Sequence, residues 1–180
     1  PVRRRVGIAE ADQPQIHDWV RDTGVRWGVD GASRAALDLP PTAEHTWRAG
    51  LDRLLLGYAL PAAGRRRFEG ILPYDEVEGT AGRTLGRLCG FAEALFAARE
   101  ELSRVRPLSE WADLFLRLLA RFLEMDEDGE AEVAELRRAI AALDSAANRA
   151  AFTGPVSLAV ARSALQAALD ALRQLLRDLL

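Results

Sequence analysis

The chain has 180 residues, of which 49% are apolar and 28% are charged, and its net charge is −3. A chain of this length buries roughly 70% of its unfolded surface and can form a real hydrophobic core, while a charge this close to neutral gives no overall attraction to nucleic acid. All 24 basic residues are arginines, which excludes the phosphate-binding lysine of a Walker A loop and any covalent chemistry that needs lysine.

The first predicted element is a short helix that begins at Asp12 or Gln13 and is ended by Gly24. Its apolar residues fall on one face and are Ile16, Trp19 and Val20. An irregular segment that contains Trp27 follows. It is extended at Leu39-Pro40-Pro41, because each proline pushes the preceding residue out of the helical region.

The next helix, which begins after Thr46, has the clearest amphipathic pattern in the chain. Its apolar residues recur at helical spacing and predict one buried face that carries Trp47, Leu51, Leu54, Leu55 and Tyr58. An arginine-rich loop comes next. The piece from Ile71 to Tyr74 is too apolar for a free loop, so we expect it to lie against the core.

A long helix is predicted from about Thr80 to Val105. Its buried face is expected to carry Leu85, Leu88, Ala92, Leu95 and Leu102. The single cysteine, Cys89, excludes an internal disulfide and a cysteine-based zinc site, and we interpret it as a small buried hydrophobic residue. Three glycines lie four residues apart in this helix, a spacing that permits close helix approach, and are Gly82, Gly86 and Gly90.

Three more helices complete the chain: one capped by Ser109, one that ends at about Asn148, and one that follows Ser157. The last helix places leucines seven residues apart at Leu158, Leu165, Leu172 and Leu179. The sequence therefore predicts an all-α fold: an irregular bundle of about six helices, with an extended Trp/Pro-containing segment and a long loop, forming a single helical domain over residues 1–180.

The acidic turn after Phe122 is the closest match to a metal site. Its residues fit positions 1, 3, 5, 6, 7, 9 and 12 of an EF-hand loop and are Glu124, Asp126, Asp128, Gly129, Glu130, Glu132 and Glu135. It departs from the pattern at position 1, where glutamate replaces aspartate, and at position 8, where Ala131 replaces an aliphatic residue. A helix N-cap with glutamates in the first turn explains the same residues, so no metal ligand is assigned.

The two histidines, His17 and His45, lie beside helix faces with no cysteine nearby, which favours surface or capping roles over a metal site. Glu44, His45 and Thr46 could suggest acid–base catalysis, but no nucleophile motif or oxyanion device accompanies them. We therefore predict no catalytic residue, no metal and no cofactor.

The candidate site for contact with DNA phosphates is the triplet Arg65, Arg66 and Arg67. A solvated charged surface is the alternative explanation, since Glu69 and the acidic second half of the chain carry the opposite charge. Autonomous DNA binding at this triplet would give a salt-sensitive affinity that is lost when the three arginines become alanine.

Short motifs follow one another in a fixed order along the chain: Val25-Arg26-Trp27-Gly28-Val29-Asp30, Leu37-Asp38-Leu39-Pro40, His45-Thr46-Trp47-Arg48-Ala49-Gly50-Leu51, Leu54-Leu55-Leu56-Gly57-Tyr58-Ala59 and Leu72-Pro73-Tyr74-Asp75-Glu76. Arg106-Pro107-Leu108-Ser109-Glu110-Trp111 follows them as an Arg-Pro-Leu-x-x-Trp segment, and the helix from Val156 to Asp170 comes after it. This series resembles the RecC family, the gamma subunit of exodeoxyribonuclease V. The alanine-rich last helices depart from the family. The family-resembling residues expected to form a structural core are Trp27, Trp47, Leu51, Leu54, Leu55, Tyr58, Tyr74 and Trp111.

The resemblance implies a non-catalytic role. RecC looks like a superfamily 1 helicase that has lost its ATPase motifs, joined to an inactive nuclease-like domain. It holds the RecBCD complex together, splits the duplex and takes part in recognising Chi. This chain is similar to the helical domain inserted into its second motor-like domain, called 2B. The implied partners are the rest of a RecC-like subunit, RecB- and RecD-like subunits through it, and DNA.

A second hypothesis is a free-standing interaction module that docks partners through its C-terminal leucine stripe, Leu158 to Leu179. On that view the stripe is exposed in the monomer and drives dimerisation, whereas a RecC-like domain uses the stripe to complete its own bundle. The chain lacks an initial methionine, and we expect it to be a piece of a larger protein. With no signal peptide and no apolar run near 18 residues, a cytoplasmic location without a membrane partner is predicted.

Overall fold

The computed structural model describes residues 2–60, 66–77, 79, 81–124, 129–149 and 152–178. These residues form helices and loops, with two isolated β-bridges as their only β pairing, and the all-α prediction is confirmed. The helices are α1 (Val2–Arg5), α2 (Gln13–Asp22), α3 (Gly31–Ala35), α4 (Trp47–Ala59), α5 (Ala81–Ser103), α6 (Leu108–Phe122), α7 (Glu130–Arg149) and α8 (Leu158–Asp178). The six longer helices are those predicted, and α1 and α3 are additional.

Backbone contacts divide the chain into two compact units. Residues 6–96 form the N-terminal unit, and residues 1–5 together with 97–180 form the C-terminal unit. The single domain over residues 1–180 stays a prediction. None of the described helices is long and apolar enough to cross a membrane.

The core of the N-terminal unit collects apolar side chains from α2, α4, α5 and the loop between the last two. Its buried members are Trp19, Leu51, Leu54, Val77, Leu85, Leu88 and Ala92. Cys89 lies half-buried against them, as a small hydrophobic residue would. Burial, with the nearby carboxylates of Glu93 and Asp52, raises the pKa of the Cys89 thiol, so the thiol stays protonated at neutral pH.

The end of α2 follows the sequence prediction. The helix ends at Asp22, and Gly24 adopts a left-handed conformation with φ of +74°. The N–H of Gly24 donates to the Arg21 carbonyl oxygen at 3.0 Å, and the N–H of Val25 donates to the Val20 carbonyl oxygen at 3.1 Å. This pair of hydrogen bonds is a Schellman motif, so Gly24 ends the helix as predicted.

One buried arginine holds the irregular segment that follows. Arg34 is only 7% exposed, and its guanidinium donates to the Thr42 carbonyl and hydroxyl oxygens at 3.1 and 2.9 Å and to the Trp27 carbonyl oxygen at 3.2 Å. Its guanidinium carbon lies 4.7 Å from the centre of the Trp27 ring. Trp27 itself is 45% exposed, so its assignment to the core is wrong: the indole stacks on this arginine instead of entering the core.

The piece from Ile71 to Tyr74 lies against α4, as predicted. Arg53 donates from Nε to the Leu72 carbonyl oxygen at 3.0 Å, and the Tyr74 N–H donates to the Arg53 carbonyl oxygen at 2.9 Å. A methyl group on Gly57 would overlap the backbone of Tyr74. Glycine at this position therefore lets the loop backbone lie directly on the helix.

The buried face of α4 is narrower than the sequence predicts. Leu51 and Leu54 are buried and Trp47 is half-buried, but Leu55 and Tyr58 are 44% and 49% exposed, so their assignment to the core is wrong. Leu55 is rotated by about 100° from Leu54 around the helix axis, which takes it off the buried stripe.

Only one of the three spaced glycines in α5 supports a close approach. A methyl group on Gly82 would overlap the ring of Tyr58, which packs there at the surface, whereas Gly86 and Gly90 face open space. Leu95, predicted on the buried face of this helix, is 44% exposed. Ala92 and Ala98, three residues to either side of Leu95, are buried.

The C-terminal unit packs α6 against α7, and α7 against α8. Its buried side chains form two clusters, which contain Trp111, Leu114 and Ala161 in one and Ala112, Ile140 and Leu143 in the other. Leu158 and Leu165 pack against these clusters and Leu172 is half-buried, while Leu179 lies outside the described residues.

The Arg-Pro-Leu-x-x-Trp segment forms a clamp at the start of α6. Pro107, not Ser109, occupies the N-cap, since its extended backbone starts the helix at Leu108. Trp111 is fully buried, and its Nε1–H donates to the Val156 carbonyl oxygen at 3.0 Å. The guanidinium carbon of Arg106 lies 4.9 Å from the centre of the Trp111 ring.

Candidate functional site: an arginine-bearing turn and its pocket

Two of the three arginines predicted to contact DNA are described by the structure. Arg66 and Arg67 are both exposed, and Arg65 lies outside the described residues. Exposed guanidinium groups are suited to pairing with phosphate oxygens. The contact with DNA phosphates itself stays a prediction.

Arg66 and Arg67 are followed directly by a tight turn. Phe68 and Ile71 each donate their backbone N–H to the carbonyl oxygen of the other, at 2.9 Å in both directions. Between them, Glu69 and Gly70 have φ of +49° and +82°, as in a type I′ hairpin turn. We call residues 66–71 the arginine turn. Its Phe68 side chain is 52% exposed.

The arginine turn lines a pocket of about 380 Å³ together with the start of α4 and the residues before it. Its charged lining residues are Arg48, Arg53, Arg67, Asp30, Glu44 and Asp52. Three positive and three negative charges offset one another. The pocket therefore has no net charge with which to draw in an anion.

The two arginines of α4 that line the pocket are engaged inside the unit. Arg48 forms ion pairs with Glu93 at 2.8 Å and with Asp30 at 3.4 Å. Arg53 donates from Nη1 to the Thr23 carbonyl oxygen at 2.8 Å, besides its bond to the loop before Tyr74. In the arginine turn, Arg66 and Arg67 are exposed, and Arg67 donates from Nη1 to the Gly70 carbonyl oxygen at 3.4 Å.

The histidines occupy surface and capping positions. His45 has a left-handed backbone with φ of +63°, and its Nδ1 lies 2.7 Å from the Gly24 carbonyl oxygen, just beyond the end of α2. A neutral His45 donates this hydrogen bond as the Nδ1–H tautomer. His17 is exposed on α2. Both positions match the roles that the sequence favours for them.

Among the described residues, no group of three His, Cys, Asp or Glu side chains is placed to hold a metal ion. Residues 125–128 of the acidic turn lie outside the described ranges, so the EF-hand alternative stays untested there. Glu130 and Glu132 lie in the first turn of α7, where the helix dipole favours them. Glu135, the last residue of the EF-hand pattern, accepts a hydrogen bond from Nε of Arg173 at 3.2 Å.

Sequence reasoning missed two features of this region. The pocket brings together residues far apart in the chain, such as His45 and Arg67, and no local pattern reports such an approach. The second missed feature is the exposed aromatic residue Phe68. The signal available for it was a lone aromatic residue next to arginines, followed by the Glu69-Gly70 turn.

The chain is all-α and carries an exposed arginine-bearing turn, while motif residues such as Thr46, Gly57 and Trp111 make internal contacts. A family model described as "RecBCD enzyme subunit RecC fourth domain" matches residues 1–173. The chain belongs to this family, and the resemblance found in its motifs is confirmed.

Curated relatives agree with the family model. The chain is 34% identical over 166 residues to RecBCD enzyme subunit RecC of Escherichia coli K12, a match that covers 92% of the chain and 15% of that relative. It is 38% identical over 113 residues to RecC of Mycobacterium tuberculosis CDC 1551, covering 63% of the chain and 10% of that relative. The chain thus spans less than a fifth of the length of either protein.

Proposed function

We propose that this chain is a non-catalytic helical domain of a RecC-like subunit, and that it acts as a scaffold in the processing of DNA ends during double-strand-break repair and recombination. The observation that carries the proposal is the match to the RecC fourth-domain family over residues 1–173. Contacts that motif residues make inside the fold also support the proposal.

The His-Thr-Trp-Arg-Ala-Gly-Leu motif illustrates this internal use. Thr46 is fully buried and caps α4 by accepting the N–H of Ala49 at 3.3 Å. A methyl group on Gly50 would overlap Val25, and Leu51 lies in the core. Thr46, Gly50 and Leu51 thus serve to stabilise the fold, which is what a scaffold requires.

The proposed partners are the rest of the RecC-like subunit and, through it, RecB- and RecD-like subunits in the cytoplasm. DNA is a further proposed partner, contacted at phosphates by Arg65, Arg66 and Arg67. The exposed positions of Arg66 and Arg67 support this contact.

The partial burial of the leucine stripe favours the scaffold over the interaction module. Leu158 and Leu165 pack within the C-terminal unit, so part of the stripe is covered by the chain's own side chains. Sedimentation of the chain at micromolar concentration tests the alternative. A monomer agrees with the scaffold, and a tight dimer would favour the module.

The experiment for the scaffold uses the full-length subunit produced together with RecB- and RecD-like subunits. Gly57→Ala forces a methyl group into the backbone of Tyr74 and is expected to reduce the amount of assembled complex. Gly86→Ala, which faces open space in α5, is the matched control and should assemble normally. Normal assembly with a demonstrably misfolded domain, or ATPase or nuclease activity in the pure 180-residue chain, would refute the proposal.

A further inference from the structure

The helices of the C-terminal unit leave an apolar groove of about 280 Å³ open at their surface. Five of the side chains that line it belong to α6, and α7 and α8 contribute one each, Leu136 and Leu165. All seven are apolar and half-buried, and among the described residues no polar side chain lines the groove. Covering such a groove with apolar side chains is favourable, because it removes apolar surface from water.

The groove has the length of a short helix. Phe115, Leu119 and Phe122 line it at positions i, i+4 and i+7 of α6, a span of about 10 Å or two helical turns. An amphipathic helix lays apolar residues of this same spacing into such a groove. The volume lies below the roughly 300–1,000 Å³ of sites for small ligands, which favours side chains of a protein segment over a small molecule.

The end of the groove at Leu123 is acidic. The run from Glu124 to Glu132 contains six carboxylates and no arginine, and the residues that begin and end the run are both exposed. Arg121 precedes the run, with its guanidinium carbon 5.8 Å from the centre of the Phe122 ring, and one cation does not offset six carboxylates. The complementary segment therefore carries lysine or arginine at this end.

We propose that this groove is the docking site of a short amphipathic helix with a basic end, and that the helix belongs to the same RecC-like polypeptide, outside residues 1–180. The inference rests on the proposed function and specifies one contact of the scaffold. A RecC-like subunit has ample chain to supply the helix, since these 180 residues match only 15% of the Escherichia coli relative.

The size of the groove decides between a helix of the same polypeptide and one from a separate protein. A stable interface between two proteins takes roughly 20–30 residues on each side, whereas two helical turns supply only about seven. A segment of the same polypeptide needs fewer contacts, because a short connection holds it at an effective concentration on the order of millimolar.

The test introduces a photo-cross-linking residue, Leu123→benzoylphenylalanine, into the full-length subunit. Leu123 lines the groove but is not among the described side chains packed against the two buried clusters of the unit, so its replacement should disturb the packing little. Irradiation of the purified subunit, alone and with RecB- and RecD-like subunits, should join position 123 to one segment of the same polypeptide in both samples. Mass spectrometry identifies that segment. Val160, 49% exposed on α8 and outside the groove, is the matched control position and should not join to it.

A second measurement tests the basic end of the docked helix. In the full-length subunit, the thiol of Leu123→Cys reacts with N-ethylmaleimide only while the groove is open, and mass spectrometry of the peptide gives the rate. Adding Glu124→Arg and Glu132→Arg should raise this rate roughly 2- to 30-fold, because two surface ion pairs are lost. Glu110→Arg, at an exposed position near the start of α6, is the matched control and should leave the rate unchanged. Far-UV circular dichroism confirms that each variant remains folded.

Several results would overturn the inference. They are a cross-link to another subunit, to a second copy or to residues 1–180 themselves, no cross-link above the Val160 control, and a labelling rate that the Glu124 and Glu132 changes do not alter. Assembly with RecB- and RecD-like subunits is measured in the same samples. A subunit that assembles normally without the cross-link refutes the docked helix and leaves the scaffold role standing, whereas a cross-linked subunit that assembles normally with the Gly57→Ala domain misfolded refutes the scaffold role alone.

Discussion

The two compact units bury their apolar surface by different means. In the N-terminal unit, backbones approach at glycines: a methyl group on Gly57 would overlap the Tyr74 carbonyl oxygen, and one on Gly50 would overlap Val25. In the C-terminal unit, α6, α7 and α8 meet through leucine, isoleucine and alanine side chains. Side-chain packing accepts swaps of similar volume, but an approach at glycine accepts no larger residue. The N-terminal unit is therefore the less tolerant of substitution.

Both units use arginine side chains to satisfy backbone carbonyl groups. Arg34 and Arg53 of the N-terminal unit donate to backbone carbonyl oxygens across irregular segments that lack helical hydrogen bonds of their own. In the C-terminal unit, Arg106 likewise donates to the Glu101 carbonyl oxygen near the end of α5, and its guanidinium also lies over the Trp111 ring. Specific polar contacts thus concentrate where the backbone is irregular, because buried carbonyl groups need donors.

The largest loss of stability is expected at Trp111, which combines side-chain packing with a hydrogen bond in the C-terminal unit. Trp111→Ala removes a fully buried indole and its hydrogen bond to Val156, and should lower the free energy of unfolding by about 3–5 kcal/mol. Urea denaturation of the 180-residue chain measures it. Leu116→Ala, on the exposed side of the same helix, should cost less than about 0.5 kcal/mol. Equal losses of stability in the two variants would contradict the stabilising role assigned to Trp111.

The intolerance of the N-terminal unit is tested most directly at a glycine. Gly57→Ala should destabilise the chain by about 1–3 kcal/mol, because the methyl group meets the Tyr74 backbone. Gly86→Ala meets nothing within 4 Å and should stabilise α5 by up to about 1 kcal/mol. The same urea titration compares them. A tolerated Gly57→Ala would break the contrast between the two units.

The long helices could be predicted because each repeats its apolar residues over several turns. Periodicity could not reveal α3, which has five residues and is fixed by its cap: the Asp30 carboxylate accepts the Ser33 N–H at 2.7 Å. It also could not decide between neighbours such as Leu54 and Leu55. Which of them is buried depends on what packs against the helix, and that contact comes from distant parts of the chain.

Of the candidate site, the sequence predicted only the positively charged residues. Three adjacent arginines mark the position of Arg66 and Arg67, but their exposure depends on a turn whose two central residues, Glu69 and Gly70, do not form the common Asn-Gly or Asp-Gly pair. The engagement of Arg48 and Arg53 elsewhere is likewise a tertiary contact. The sequence alone does not show which arginines are free to contact a phosphate, because that depends on the hydrogen bonds and ion pairs that the folded chain forms.

A smaller loss is expected at the arginine that orders the irregular segment. Arg34→Lys keeps the charge but cannot reproduce the fork that reaches both Trp27 and Thr42. The unpaired groups left behind should lower the free energy of unfolding by about 2 kcal/mol. Thermal and urea unfolding measure the loss. Arg26→Lys, at an exposed position in the same segment, is the matched control, and a loss there of equal size would contradict the assignment.

The smallest effect is a difference in alkaline stability at Tyr74. Its hydroxyl lies 3.2 Å from a carboxylate oxygen of both Asp22 and Glu76, and burial together with these carboxylates raises the pKa of the phenol above its ordinary value. The protonated phenol is therefore favoured in the folded chain. The stability this provides is complete below about pH 10, the pKa of an unperturbed tyrosine, and is lost as the pH rises above it.

Tyr74→Phe should change the free energy of unfolding at pH 7 by less than about 1 kcal/mol, because these hydrogen bonds are open to solvent. Above pH 10 the variant should lose stability less steeply than the unaltered chain, since it has no phenol to ionise on unfolding. Tyr58→Phe is the matched control at the other tyrosine, which is half exposed on the same unit. Parallel alkaline profiles for Tyr74→Phe and the unaltered chain would show that the two carboxylates do not hold the proton on Tyr74.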